Sequence, residues 1–86
     1  MMNETQLTIK IKKMLDNYGA YHEKIFGGGF QASGIPDILA CLNGTFIGIE
    51  VKSPTTKGRA RDMQLLKVKA IRKAGGVAFF SHDLEE

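Results

Sequence analysis

Three charged side chains stand within two apolar stretches of this sequence. Asp37 opens the run "DILACL", and Glu50 and Lys52 lie near the end of the run "TFIGIEVK". A charge that is buried without a partner costs several kcal/mol, so charges inside a core are usually paired or bound to a metal. We therefore take these three residues as the first candidates for chemistry.

The connection between the two runs predicts where the charges lie. Asn43-Gly44 is the strongest short signal for a two-residue β-hairpin of type I′. In that register Asp37 directly faces Glu50. Because strand side chains alternate between the faces of a sheet, Lys52 shares the face of the two carboxylates. Two directly opposed carboxylates repel each other unless a cation lies between them.

Two carboxylates and a lysine at this spacing suit one kind of reaction. A hard divalent cation such as Mg²⁺ or Mn²⁺ takes carboxylate oxygens, waters and a substrate phosphate as ligands, and it acidifies a bound water. Lys52 would orient that water or stabilise the charge that builds on the phosphate. The three residues thus predict metal-assisted hydrolysis of a phosphodiester bond.

The remaining periodicities predict the elements that hold these residues. An apolar stripe, capped by Asn3 with Gln6 as its capping-box partner, predicts a helix over residues 4–18. A strand over 20–26 precedes the hairpin, and a strand over 77–81 ends the pattern. A second helix lies between, and its predicted inner stripe is Met63, Leu66, Ala70, Ile71 and Ala74. The predicted order is α-β-β-β-α-β.

Length and composition favour one globular domain over residues 1–86. With 43% hydrophobic and 24% charged residues, the chain has the composition of a globular protein with one small core. No apolar stretch approaches the roughly 20 residues that cross a bilayer, so we expect no membrane partner, and the start lacks a signal-peptide apolar block. The lone Cys41 predicts a buried thiol in a reducing compartment, such as the cytoplasm.

Basic residues are concentrated in the second half of the chain. Eight Lys and Arg residues and one acid lie between positions 52 and 73, in a chain of net charge +3. Such a run predicts a positive surface for phosphate, although a solvated helix face would carry the same charges. A glycine loop at 27–29 lets backbone approach phosphate closely. The residues that we expect at DNA are Lys57, Arg59, Arg61, Lys67, Gln31 and Ser33.

These residues resemble a known nuclease signature. "PD" at 36–37 followed by "EVK" at 50–52 resembles the motif of the PD-(D/E)xK superfamily. The fuller pattern, with Glu4 on the first helix, "GIPD", "GIEVKSP" and Gln64 opening the second helix, is similar to the VRR-NUC family, the virus-type replication-repair nucleases. This resemblance covers nearly the whole chain. It implies a stand-alone α/β domain with a restriction-endonuclease-like core, in which helices flank a mixed sheet.

The resemblance also implies roles for individual residues. Asp37 and Glu50 would ligate the metal together with the main-chain carbonyl of Val51, and Lys52 would be catalytic. Glu4 and Gln64 would complete the site. Two alternatives stay open: Glu4 suits the helix dipole as a first-turn acid, and Gln64 could be an ordinary exposed helix residue.

The implied activity is that of a Mg²⁺- or Mn²⁺-dependent DNA endonuclease. Because one small domain offers few phosphate contacts, we expect a homodimer that acts on branched DNA such as a four-way junction or a flap. One alternative is another nuclease of the superfamily, of the resolvase or restriction type. The other is a non-catalytic nucleic-acid-binding module, which would lack at least one site residue.

Overall fold

The computed structural model describes residues 3–26, 34–52 and 61–81, without the side chain of Arg61. Its helices and strands follow one another in the predicted α-β-β-β-α-β order, which is therefore confirmed. They are α1 (Glu4–Asn17), β1 (Tyr21–Lys24), β2 (Ile38–Leu42), β3 (Thr45–Glu50), α2 (Arg61–Lys73) and β4 (Val77–Phe80).

Helix α1 begins at the predicted cap. The Asn3 side chain accepts a hydrogen bond from the Gln6 N–H at 2.8 Å, and the Gln6 side chain accepts one from the Asn3 N–H at 3.0 Å. This capping box satisfies two N–H groups that the first helical turn leaves without partners. The buried positions of the helix recur at helical spacing and are Leu7, Ile11 and Leu15.

The hairpin between β2 and β3 has the predicted register. Asn43 and Gly44 have φ angles of +51° and +82°, as both central residues of a type I′ turn require. Ile38 consequently pairs with Ile49. Because side chains alternate along each strand, this register separates the residues of the hairpin into two sets on opposite faces of the sheet.

The four strands form one mixed sheet in the order β1-β2-β3-β4. Strand β2 pairs antiparallel with both β1 and β3, and β4 lies parallel to β3. A parallel pair needs a crossover connection, and here α2 provides it. The predicted mixed sheet flanked by helices is confirmed.

One face of the sheet is apolar and packs against α1. Ile38, Ile49 and Val51 are at most 3% exposed. They join the buried stripe of α1 in the larger core cluster, which consists of Leu7, Ile11, Leu15, Ala20, Ile38, Ala40, Ile49 and Val51. Most of the apolar burial of the domain is therefore on this face.

Helix α2 packs on the other face, over β3 and β4. Gly48 permits this contact, because a Cβ there would lie 2.9 Å from Cδ1 of Ile71. The smaller core cluster joins Val68 to Ala78 and Phe80. The sheet thus has a helix on each face.

The predicted inner stripe of α2 is wrong except at Ile71. Met63 and Leu66 are 43% and 58% exposed, and Ala70 and Ala74 are exposed as well. The positions with the least exposure are Gln64, Lys67, Val68 and Ile71. Polar side chains therefore occupy part of the inward face, because the start of α2 covers the charged end of β3 rather than an apolar core.

The prediction of a buried Cys41 is also wrong, since this thiol is exposed. Helix α2 covers β3 and β4, and among the described residues no helix covers the same face of β1 and β2. We call this region the uncovered face; it lines an apolar depression of about 320 Å³. Its residues are Tyr21, Ile25, Leu39, Cys41 and Phe46.

The end of α1 lies beside the start of β1. Asp16, near the end of the helix, contacts His22 in β1, with 2.6 Å between Oδ1 and Nε2. Neither helix in the described ranges has the length and hydrophobicity that a membrane crossing requires.

Candidate active site

Asp37 lies one residue before β2 and is held by both neighbouring strands. Its backbone carbonyl accepts a hydrogen bond from the Ile25 N–H at 2.7 Å, and its Oδ2 accepts one from the Val51 N–H at 2.8 Å. The observed hairpin register, continued by one residue, places Asp37 opposite Glu50 as predicted. The carboxylate is thus fixed where β2 begins and β3 ends, and Asp37 is half-buried.

Glu50 ends β3 and is completely buried. Its pKa is raised to about 8, first by burial and then by the negative charge of Asp37, while the positive charge of Lys52 opposes the rise. A hydrogen bond to Asp37 also favours the protonated form. Without a cation, the two opposed carboxyl groups therefore retain a proton at neutral pH.

Lys52 lies two residues beyond Glu50 and is 8% exposed. Its ammonium group is close enough to lower the pKa of Glu50, so the structure brings together the three charges that the hairpin register predicted. A lysine is seldom this buried unless its charge has a role or a partner. Here the nearby carboxyl groups provide the compensating charge.

Gln64 reaches the same site from the first turns of α2. Its Nε2 donates a hydrogen bond to Oε1 of Glu50 at 3.3 Å. Gly34 explains how the helix comes so close, since a Cβ there would lie 2.5 Å from the backbone oxygen of Met63. Gln64 is therefore half-buried beside Glu50 and not an exposed helix residue, and its role in the site stays a prediction.

Glu4 opens α1, and its side chain is half-buried. Within residues 3–26, 34–52 and 61–81, no three His, Cys, Asp or Glu side chains form a group that could hold a metal ion. The role of Glu4 in the site stays a prediction, as does its alternative role as a first-turn acid.

The arrangement of oxygen atoms fits a hard divalent cation. Oε2 of Glu50 and Oε1 of Gln64 are buried and have no hydrogen-bond partner among the described residues. Acceptors in this state need a cation or a proton donor. Together with the carboxylate of Asp37, these groups would form an all-oxygen site of the kind that Mg²⁺ and Mn²⁺ prefer.

The main-chain carbonyl of Val51 has an orientation consistent with the same site. The N–H of Lys52 points to Ser81, to which it donates a hydrogen bond of 2.7 Å. Because a trans peptide group is planar, the Val51 carbonyl must point in the opposite direction, away from Ser81. That is the side of β3 on which Asp37 lies.

The predicted DNA-contacting residues lie mostly outside the described residues. Lys67 is half-buried on α2, one helical turn after Gln64. Arg61 begins the helix, but its side chain is outside the description. The other four predicted contacts, which also lie outside the described residues, are Gln31, Ser33, Lys57 and Arg59.

No sequence pattern singles out Ser81, which the structure places against the candidate lysine. Its hydroxyl contacts the backbone of Lys52 on both sides of the residue. Only the parallel pairing of β3 with β4 brings the two positions together. A serine at the end of an apolar run is too common to be recognised without that pairing.

Comparison with solved structures finds two chains with the same fold. The first is described as a VRR_NUC domain; it is 29% identical, covers 90% of this chain and 81% of its own, and superposes with a TM-score of 0.71. The second is Hjc of Archaeoglobus fulgidus, a Holliday junction resolvase from an archaeal hyperthermophile. That match is 22% identical, covers 88% of this chain and 64% of the resolvase, and has a TM-score of 0.60.

No protein-family model matches the sequence, and a search of curated proteins finds no match. The identification depends on the fold and on the similarity to the solved VRR_NUC domain, which covers 90% of this chain. The resemblance predicted from the sequence is therefore confirmed: the chain has the fold of a VRR-NUC domain, of the PD-(D/E)xK nuclease type.

Proposed function

We propose that this protein is a Mg²⁺- or Mn²⁺-dependent DNA endonuclease. The proposal depends on one observation. Asp37, Glu50 and Lys52 come together where β2 begins and β3 ends, and Gln64 contacts Glu50. Burial of these charges destabilises the folded protein unless a bound ligand compensates the cost. A cluster that lowers stability in this way is typical of a functional site.

Each side chain has a separate role in the proposed reaction. A bound Mg²⁺ or Mn²⁺ would supply an acidified water and a positive charge next to the scissile phosphate. Asp37 and Glu50, with the Val51 carbonyl, would hold the cation, and Glu50 would bind it in the deprotonated form. Lys52 stabilises the negative charge that develops on the phosphate. Gln64 fixes the carboxylate of Glu50 through its hydrogen bond.

The proposed substrate is branched DNA, such as a four-way junction or a flap. The structural neighbour Hjc is a Holliday junction resolvase, and the match to it supports the fold. The excess of basic residues between positions 52 and 73 favours binding to phosphate, and among them Lys67 lies one helical turn after Gln64. A domain of this size makes few phosphate contacts, so recognition of duplex arms requires a second copy or a bent substrate.

We further propose a homodimer, formed through the uncovered face. Phe46 is 44% exposed and stands between two apolar depressions, each of about 320 Å³. A projecting side chain next to a depression can insert into the same depression of a second copy when a twofold axis relates the two copies. The first helix and β4 were the other sources considered for an interface, and they bury Leu7, Ile11, Leu15, Ala78 and Phe80 in the domain's own cores while Ile9, Met14 and Val77 stay exposed.

The decisive experiment incubates purified protein with linear, flapped and four-way DNA in Mg²⁺, in Mn²⁺ and in EDTA. We expect cleavage that needs the metal and is fastest on a branched substrate. Asp37→Asn should abolish it, whereas the matched control Asp16→Asn, an exposed residue on α1, should cleave normally. EDTA-resistant cleavage would contradict the metal site, and tight binding without any cleavage would favour the non-catalytic module.

Sedimentation at micromolar concentration tests the dimer separately. We expect about twice the chain mass of 9.5 kDa for the wild type and a monomer for Phe46→Glu. Tyr18→Glu is the matched control, because Tyr18 is equally aromatic and is 69% exposed outside the uncovered face. A wild-type monomer, or a Phe46→Glu dimer, would contradict the proposed interface.

A further inference from the structure

Ser81 has an unusual position directly after the last strand. It is 1% exposed, and its hydroxyl accepts a hydrogen bond from the Lys52 N–H at 2.7 Å and donates one to the Lys52 carbonyl at 3.0 Å. One side chain thus satisfies both backbone polar groups of a residue that lies beyond the paired part of β3. A backbone segment at the end of a strand would otherwise be free to fray.

We infer that Ser81 is a positioning residue that fixes the Val51–Lys52 peptide group of the candidate site. The inference rests on the proposed function, since it assigns a purpose to a hydrogen bond at the proposed metal and lysine positions. It adds a residue that acts through others and does not itself touch the substrate.

The first consequence concerns the carbonyl of Val51. The peptide group that carries this carbonyl also carries the N–H of Lys52, which Ser81 holds. Because the group is planar and trans, holding the N–H on one side directs the carbonyl to the other, where Asp37 lies. Ser81 therefore sets the direction of one proposed metal ligand from the opposite side of the strand.

The second consequence concerns the ammonium group of Lys52. The lysine side chain is long and has four rotatable bonds. The position of its ammonium group therefore depends on the position and orientation of the Lys52 backbone. Ser81 and Asp37 hold successive residues from opposite sides, since Asp37 accepts from the Val51 N–H at 2.8 Å. A displacement of about 1 Å at a catalytic group can lower a rate by a factor of about a hundred.

Ser81→Ala tests the inference through metal affinity and through kinetics. Calorimetric titration with Mn²⁺ should give an affinity reduced about tenfold relative to the wild type, because the Val51 carbonyl is no longer held. At saturating Mn²⁺, kcat on the preferred DNA should fall about tenfold to a hundredfold with KM unchanged. A purely structural serine would alter neither value in the folded protein.

Ile11→Val is the matched control for lost stability. It removes one buried methyl group from the core on the other face of the sheet, where Ile11 is 2% exposed. It should lower Tm while it leaves the Mn²⁺ affinity and kcat of the folded protein unchanged. If Ser81→Ala does not fold, Ser81→Cys replaces it, because a thiol keeps the volume and weakens both hydrogen bonds.

The outcomes separate this inference from the proposed function. If the wild type neither binds Mn²⁺ nor cleaves DNA, the proposed function is wrong. If the wild type does both and the Ser81 variant behaves like Ile11→Val, the proposed function stands and the positioning role is overturned. A loss of kcat and of Mn²⁺ affinity that only the Ser81 variant shows supports the inference.

Discussion

The two faces of one β-hairpin differ in almost every physical property. On the α1 side, Ile38 and Ile49 are buried among apolar residues and stabilise the domain. On the α2 side, the same two strands carry Glu50 and Lys52, which are just as buried but cost free energy. A shift of one residue in register would exchange the two sets. The comparison shows that the Asn-Gly turn determines both the core and the site.

The two helices repeat this contrast. Helix α1 has an unbroken apolar stripe, whereas the inward side of α2 includes half-buried Gln64 and Lys67. The apolar contacts of α2 lie farther along the helix, at Val68 and Ile71. The first turns of α2 thus cover the candidate site, and its later turns pack the helix against the sheet. Function and stability are separated along one helix as well as between two faces of the sheet.

The largest expected effect is loss of cleavage when the charged face is changed. Asp37→Asn, Glu50→Gln and Lys52→Ala should each lower the rate by about a thousandfold or more, which corresponds to about 4 kcal/mol, because each removes a proposed metal ligand or a charge stabiliser. Cleavage assays beside melting curves measure both properties. Glu23→Gln and Lys13→Ala are controls for general charge effects. Normal cleavage by any one of the three variants would mean that its residue is misassigned.

A pair of apolar substitutions tests the stabilising face. Ile11→Ala should lower the free energy of unfolding by about 2–5 kcal/mol, because it opens a cavity beneath α1. Leu66→Ala, on the exposed side of α2, should change it by less than about 0.5 kcal/mol. Urea denaturation monitored by circular dichroism gives both values. Equal losses would contradict the assignment of the main core to the α1 face.

Binding of a divalent metal should offset the free-energy cost of the buried charges. A ligand that binds only the folded state stabilises it by about 2.7 kcal/mol when present at a hundredfold excess over its Kd. For a domain of this size, that corresponds to a rise in Tm of about 10 °C or more. Thermal melts with Mn²⁺ and with EDTA measure the effect, and the Asp37→Asn variant should lose it. An unchanged wild-type midpoint would argue against a metal site.

The pH dependence of stability should identify Glu50 in the metal-free protein. Its pKa in the folded state is about 8, above the ordinary value near 4.5, so the folded protein binds the proton more tightly than the unfolded chain. Between about pH 4.5 and pH 8, the contribution of Glu50 to the free energy of unfolding is therefore largest at low pH. It falls as the pH rises toward 8, by at most about 1.4 kcal/mol per pH unit.

Glu50→Gln removes this titration and should flatten the profile between about pH 5 and 8. It should also make the metal-free protein more stable at pH 8, because the repulsion with Asp37 disappears. Denaturation in EDTA at several pH values measures the slope. A wild-type slope that persists in Glu50→Gln would assign the titration to another group.

Much of the candidate site was predictable because local signals define it. The Asn43-Gly44 turn fixed the register, and the register placed Asp37 opposite Glu50 with Lys52 on the same face. The cap of α1 and the order of elements were also correct. These features depend on turn chemistry and on residues close in sequence, which act in the same way whatever the rest of the chain does.

The errors concern contacts between distant segments. The apolar residues Met63 and Leu66 are spaced like an inner stripe, yet they face outward because the start of α2 covers a polar site. Cys41 lies in an apolar strand, yet its thiol is exposed because no helix covers that part of the sheet. A hydrophobicity pattern predicts that a residue prefers burial but does not predict which neighbour is there to bury it.

The sequence by itself determined the hairpin, the two faces of its strands and the meeting of three charges, because these follow from chain geometry over fewer than twenty residues. Only the tertiary structure decided how α2 approaches through Gly34 and Gly48, and how Ser81 reaches the backbone of Lys52 from 29 positions away. It also decided that the face of β1 and β2 stays uncovered. These contacts depend on the parallel crossover and on how the helix packs over the sheet, which local preferences do not specify.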